Sequence, residues 1–128
     1  MTQNTHPNIS PSLVGAAVEL SYGKATAALD ASPDMAADAR GLVHGGFTFG
    51  LADFAAMLAV NDPNVVLGAS ESRFLAPVTV GQRMVAIAAV VQEKGKKRVV
   101  ETRVEVSGRP VFEAKMTCFV LDGHVLDS

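Results

Sequence analysis

Residues 41–60 read GLVHGGFTFGLADFAAMLAV, and this stretch decides how the chain folds. From about Gly46 to Val60 it has good helix formers, no proline and apolar residues on nearly every side, the pattern of a helix buried in its own domain. Asn61-Asp62-Pro63 stops it. Ahead of it stands His44-Gly45-Gly46, without the Ser, Thr, Asp or Asn cap that normally absorbs a first-turn N–H. Backbone donors are then left for a ligand, and glycine lets that ligand come close. Backed by the helix dipole, such donors can polarise a carbonyl and hold the oxyanion that forms on attack. The same glycines equally suit a sharp entry turn or tight packing.

Asp53 shifts the balance. It is the only charged side chain between Arg40 and Asp62, in the middle of the apolar helix. Burying an unpaired carboxylate costs on the order of several kcal/mol, so such a residue normally has a partner or a task. The plainer alternative is a carboxylate hydrogen-bonded at a subunit interface for structure alone. Gly45 and Asp53 lie roughly 12 Å apart along a helix at ~1.5 Å rise per residue. One helix cannot bring both to one reacting group, whereas two antiparallel copies can. A catalytic role for both therefore predicts a two-fold dimer with two composite sites.

Outward from the helix the chain turns to β structure. Before it, Leu13 to Leu29 suggests two short strands around Ser21-Tyr22-Gly23, and Ser32-Pro33-Asp34 marks a turn. After it, Val65 to Ala76 reads as a strand leading into Pro77 and Gly81. Arg83 to Glu93 is an apolar run that looks buried on both faces, and a hairpin loop follows around Gly95. Thr102, Val104 and Val106 then alternate with Glu101, Arg103 and Glu105. Past Ser107-Gly108-Arg109, the apolar Phe112, Ala114, Met116, Cys118 and Val120 alternate with Glu113, Lys115 and Thr117. Period-two alternation marks half-solvated antiparallel strands. One buried helix and a run of hairpins give an α+β domain with the antiparallel sheet wrapped around the helix. Residues 1–12 read as a loose N-terminal arm and 13–128 as a single domain.

At 128 residues there is room for one core. A hydrophobic fraction of 48% and a mean hydropathy of +0.26 are high for so small a domain and point to an oligomer. The net charge of −2 argues against a nucleic-acid binder, which usually carries a basic excess. No stretch approaches the roughly 20 apolar residues of a membrane span. One cysteine and the absence of a signal-like N-terminus fit the cytoplasm.

Gly41-x-x-His44-Gly45-Gly46 followed by Leu51-Ala52-Asp53, with Phe74-Leu-Ala-Pro77-Val78 and Gly81 downstream, resembles the signature of hotdog-fold thioesterases of the phenylacetate-pathway (PaaI-like) type. The resemblance runs from about Asp38 to Val120. It implies dimers that often pair into tetramers, and hydrolysis of acyl-CoA without metal or cofactor. It also implies that the Gly45 N–H polarises the thioester carbonyl, and that Asp53 of the opposite subunit acts as nucleophile or as general base on water. His44 then shapes the loop. Relatives commonly carry Asn where this chain has Asp38, which can accept from water but cannot donate as an amide does. Ala76 stands where some relatives have Ser or Thr.

Among the other residues, His6 and His124 are expected to face solvent, and Cys118 to be a small core residue rather than a nucleophile. No second His or Cys stands at ligand spacing from His44, so no metal is expected. Lys94, Lys96, Lys97 and Arg98 form a basic hairpin tip, either merely solvated or meeting the phosphates of CoA. Arg73 and Arg83 are further candidates, although Glu71 can pair with Arg73. Glu71 and Ser72 are candidates to line the pocket. The reading is an acyl-CoA thioesterase that is a homodimer or homotetramer, with Gly46 assisting Gly45. The alternatives are a non-catalytic acyl-CoA-binding module and a hydratase or dehydratase on the same fold. The sequence leaves open the acyl group, and whether CoA or an acyl carrier protein presents it.

Overall fold

The computed structural model describes residues 1–127; residue 128, the last of the expected domain, lies outside the described residues. Strands β1 (Ala16–Ser21) and β2 (Lys24–Asp30) form the expected hairpin. A short 3-10 turn (Pro33–Met35) and an extended loop lead into helix α1 (Gly45–Val60). Strands β3 (Val65–Phe74), β4 (Arg83–Lys94), β5 (Lys97–Val106) and β6 (Arg109–Val120) follow. They make one six-stranded antiparallel sheet in the order β1-β2-β4-β5-β6-β3. The sheet curls around α1, which is the hotdog arrangement.

The helix rests chiefly on β4 and β2. The residues there explain the alanine content: Ala25, Ala27, Ala86 and Ala88 on the strands and Ala52, Ala55, Ala56 and Ala59 on the helix are all buried. Small side chains on both partners let a helix lie close to a sheet. Larger groups fill the space beyond, with Leu51, Met57, Leu58, Met84, Phe112 and Met116 withdrawn from solvent. Each contributes about 1.5–3 kcal/mol by leaving water. In β5 and β6 the expected alternation holds, with Val104, Phe112, Met116 and Cys118 facing the helix.

Three expectations are corrected. The helix begins at Gly45, one residue earlier than read, because His44 is extended and serves as its N-cap. The β4 run is not covered on both faces within the chain: Met84, Ala86 and Ala88 are buried, but Ile87 and Val91 are 36% and 52% exposed. Among the described residues no element lies over the outer side of the sheet, so apolar residues there meet solvent. His6 does not simply face solvent. Its ring is half-buried with its centroid 6.1 Å from that of Phe54, and burial lowers its pKa from the ordinary value.

His6 sits in the N-terminal arm, which holds no strand or helix but is tied down. Asn61 ends α1 in the left-handed region (φ 55, ψ 37). Its side-chain amide donates to the Thr2 carbonyl at 2.8 Å and its Oδ1 accepts from the Asn4 N–H at 2.7 Å. Thr5 is buried, with its hydroxyl 2.7 Å from His6 Nδ1. Among the described residues, no helix is long and apolar enough to cross a membrane.

Candidate active site

The loop before the helix is built by Asp38. Its Oδ1 accepts from the backbone N–H of Arg40 at 2.9 Å and of Leu42 at 3.2 Å, closing a tight turn whose Gly41 has φ 79. The chain then forms bridges from Val43 to Ala36 and from Leu42 to Thr79. The His44 N–H donates to the Met35 carbonyl at 2.9 Å, while its own carbonyl accepts from Phe47. His44 is thus fixed by its backbone, and its exposed ring makes no capping bond.

The two N–H groups that follow are left over. Among the described residues, those of Gly45 and Gly46 meet no acceptor, as first-turn donors of a helix without a side-chain cap must. Both glycines are in ordinary helical conformation, so close neighbours rather than backbone freedom explain them. A Cβ on Gly45 would stand 3.0 Å from Cε1 of Phe74, and one on Gly46 would stand 3.0 Å from Cδ2 of His44. Beside Gly45 a cavity of about 290 Å³ opens, lined largely by apolar groups that include Val43, Phe74, Pro77 and Val78. Phe74 continues into an aromatic row, edge-on to Phe112 at 5.0 Å, which in turn meets Phe49 at 6.2 Å.

Asp53 lies further along the helix, on the stripe that the sheet leaves uncovered. Its helical neighbours there are Gly46, Phe49, Gly50 and Val60, none of them fully buried. The carboxylate is half-buried and, among the described residues, has no hydrogen-bond or ion-pair partner. Burial raises its pKa above the usual value. Cys118 of β6 lies within reach of its field. Burial and then the Asp53 charge push that thiol up to about 12, which leaves it an inert core group.

The remaining sequence candidates fall in different places. Ser72 is on the inner face of β3 with Phe74, its hydroxyl 2.6 Å from that of Ser70. Glu71 and Arg73 stand on the opposite, outer face and do not pair with each other. Lys96 pairs with Asp122 at 2.8 Å and Arg98 with Glu93 at 3.2 Å, while Lys97 is exposed. Arg98 shares a hollow with Ala59 to Asp62, so the basic hairpin lies by the C-terminal end of α1, away from Gly45 of the same chain. Arg83 pairs with Asp30 at 3.1 Å. Among the described residues no cluster of three His, Cys, Asp or Glu could hold a metal ion.

Sequence reasoning did not single out Thr48. It is 4% exposed, lines the cavity beside Gly45, and donates only a weak bond to the Met84 sulfur at 3.4 Å. Its spacing three residues after Gly45 was the available signal, since i and i+3 share a helix face.

Comparisons with known proteins agree with this fold. The family model of the thioesterase superfamily matches residues 40–113, from the loop before the helix into β6. The crystal structure of an uncharacterized protein from Pyrococcus horikoshii superposes with a TM-score of 0.98 at 50% identity, covering 99% of this chain and 98% of that one. A mutant of the phenylacetic acid degradation protein PaaI from Thermus thermophilus superposes with a TM-score of 0.79 at 29% identity, over 85% of this chain and 95% of the other. A curated relative, methylthioribose-1-phosphate isomerase of Aquifex aeolicus, is 43% identical over 123 residues. Those residues are 95% of this chain but only 27% of the isomerase, so the chain spans about a quarter of that relative's length.

Proposed function

The chain belongs to the thioesterase superfamily, and from that membership we propose that it hydrolyses an acyl-CoA thioester to the free acid and CoA at a site shared by two copies. The observation that carries this reading is a pair of unpartnered N–H groups at Gly45 and Gly46 on the same helix as the half-buried, unpartnered Asp53.

The thioester carbonyl oxygen accepts from the Gly45 N–H, with Gly46 beside it, so that charge developing on that oxygen meets fixed donors at the positive end of a helix. Asp53 of the partner subunit reaches the carbonyl carbon as nucleophile, or takes the proton of an attacking water. A pKa raised by burial makes that carboxylate a stronger base than a solvated one, which suits either role. The uncovered stripe is lined by Gly46 and Gly50, small enough for a second, antiparallel helix to approach. Asp38 holds the loop that aims Gly45, His44 closes over Gly46, and the acyl group enters the cavity under Phe74. At about 290 Å³ that space is at the small end of ligand pockets, which favours a short or single-ring acyl group. In an antiparallel pair the basic hairpin of one copy approaches the site formed by the other's Gly45, where Lys96, Lys97 and Arg98 can meet CoA phosphates.

The test is thiol release from aromatic, short-chain and long-chain acyl-CoAs by wild type and Asp53→Asn. Turnover that collapses in the variant supports the reading. Tight acyl-CoA binding with no thiol release replaces it with a binding module. Conversion of an enoyl-CoA without CoA release replaces it with a hydratase.

A further inference from the structure

The cavity beside Gly45 holds one polar side chain with almost nothing to bond. Among the described residues lining it, Thr48 alone has a polar side chain; the others, such as Val43, Phe74, Val78 and Val111, are apolar or glycine. Thr48 is 4% exposed, and its hydroxyl donates to the Met84 sulfur at 3.4 Å. A thioether is a weak acceptor, and the bond leaves the lone pairs of the hydroxyl oxygen without a donor. A threonine inside a helix usually turns its hydroxyl back to the carbonyl four residues earlier. Here that carbonyl belongs to His44, which accepts from the Phe47 N–H at 3.1 Å, and the Thr48 hydroxyl does not bond to it. Burying a hydroxyl without a good partner is unfavourable, and valine has nearly the same shape without that cost. Packing alone therefore favours valine at this position.

We infer that Thr48 selects the acyl group, its hydroxyl oxygen accepting a hydrogen bond from a hydroxyl carried by a short acyl chain. The inference rests on the acyl-CoA reading of the site and adds to it the chemical class of the acyl group. Thr48 lies three residues after Gly45, so the two share a face of α1. Positions so related stand about 5–6 Å apart. An acyl group whose carbonyl oxygen is held by the Gly45 N–H thus brings to Thr48 the atoms nearest the thioester, not its far end. A hydroxyl on the third carbon, as in a 3-hydroxybutyryl group, suits that distance. The apolar remainder of the cavity takes the hydrocarbon, and its volume of about 290 Å³ accommodates so small a group. The substrate hydroxyl donates while Thr48 keeps its bond to Met84, so recognition breaks nothing within the protein. An unsubstituted chain excludes water from the same oxygen without replacing it, and discrimination follows from that unmet acceptor.

Calorimetric binding of hydrolysis-resistant amide analogues of butyryl-CoA and of both enantiomers of 3-hydroxybutyryl-CoA tests the inference. Wild type should hold one hydroxylated enantiomer about tenfold more tightly than the butyryl analogue, the scale of one hydrogen bond in a buried site. Thr48→Val should abolish that preference and leave the butyryl analogue bound at least as tightly, since the shape of the side chain is kept. Thr48→Ser retains the hydroxyl and should retain the preference, a pattern that a merely structural threonine would not produce. Equal affinities in wild type, or a preference that survives Thr48→Val, would overturn the assignment while leaving the acyl-CoA site standing. No binding of any analogue would sink the acyl-CoA reading and this inference with it.

Discussion

The ring of Phe74 rests against the α-carbon of Gly45, so near that a methyl group there would lie 3.0 Å from Cε1. Phe74 is 59% exposed, so the ring can swing aside, and alanine is intrinsically better than glycine within a helix. The fold therefore tolerates Gly45→Ala, while the added methyl and the displaced ring crowd the N–H meant for the substrate. Gly45→Ala should lower kcat/KM by about a hundredfold, the scale of one lost oxyanion donor, with little change in Tm. Steady-state kinetics beside a thermal melt checks this, and full activity would remove Gly45 from the mechanism.

Asp53→Asn should separate activity from stability. Activity should fall by roughly 10²–10⁴, as expected for loss of a catalytic acid–base group. Stability should rise at pH 7, because an unpartnered, half-buried charge becomes neutral. Burial raises the folded-state pKa of Asp53, so its contribution to stability is present below the unfolded pKa and lost as pH rises through the folded one. The variant's advantage in Tm should accordingly shrink as pH falls into the carboxylate range. Melting curves from acid to neutral pH would show it, and an equal or lower Tm at pH 7 would contradict it.

His6 should make the N-terminal arm sensitive to acid. Its folded-state pKa is lowered by burial, so the stability it confers is present above the unfolded value of 6.5 and lost as pH falls. Amide exchange in residues 2–9 should quicken as pH drops below that value, once the intrinsic pH dependence of exchange is subtracted. His6→Asn suits the positive φ of 53 at this position and should abolish the added acid sensitivity.

Asn61 joins a helix end to that arm, and two substitutions separate the parts. Asn61→Gly keeps the left-handed cap but loses both side-chain hydrogen bonds, about 0.5–1.5 kcal/mol each. Asn61→Ala loses the bonds and adds about 1–2 kcal/mol of backbone strain. Both should speed proteolysis within residues 1–12, and only the alanine variant should also lower Tm further by fraying α1.

Much of this was readable in advance because the signals are local. The apolar run after Gly46 and its stop at Asn61 gave the helix, and alternation in Glu101–Val106 and Phe112–Val120 gave two strands with their correct faces. His-Gly-Gly and the isolated Asp53 stood out for the same reason. What was not readable depends on partners distant in sequence. Nothing near Gly45 in the chain announces that Phe74 will lie on it. Likewise, Asp53 gives no sign of Cys118, nor His6 of Phe54. The β4 run misled because its residues record that both faces are apolar, not whether this chain or another covers the outer one.

The strand order also sets a timetable. β3 follows the helix directly, yet its neighbour in the sheet is β6, with β4 and β5 made in between. During synthesis the helix and β3 therefore emerge well before the strand that gives β3 its hydrogen bonds. Until β6 arrives, Val65, Val66 and Leu67 have no ladder to join, and the sheet cannot close around the helix by local steps alone. A chain arrested after β5 should be a poor folder, prone to capture by chaperones, and the long-range pairing of β3 with β6 should limit the rate at which the whole domain forms.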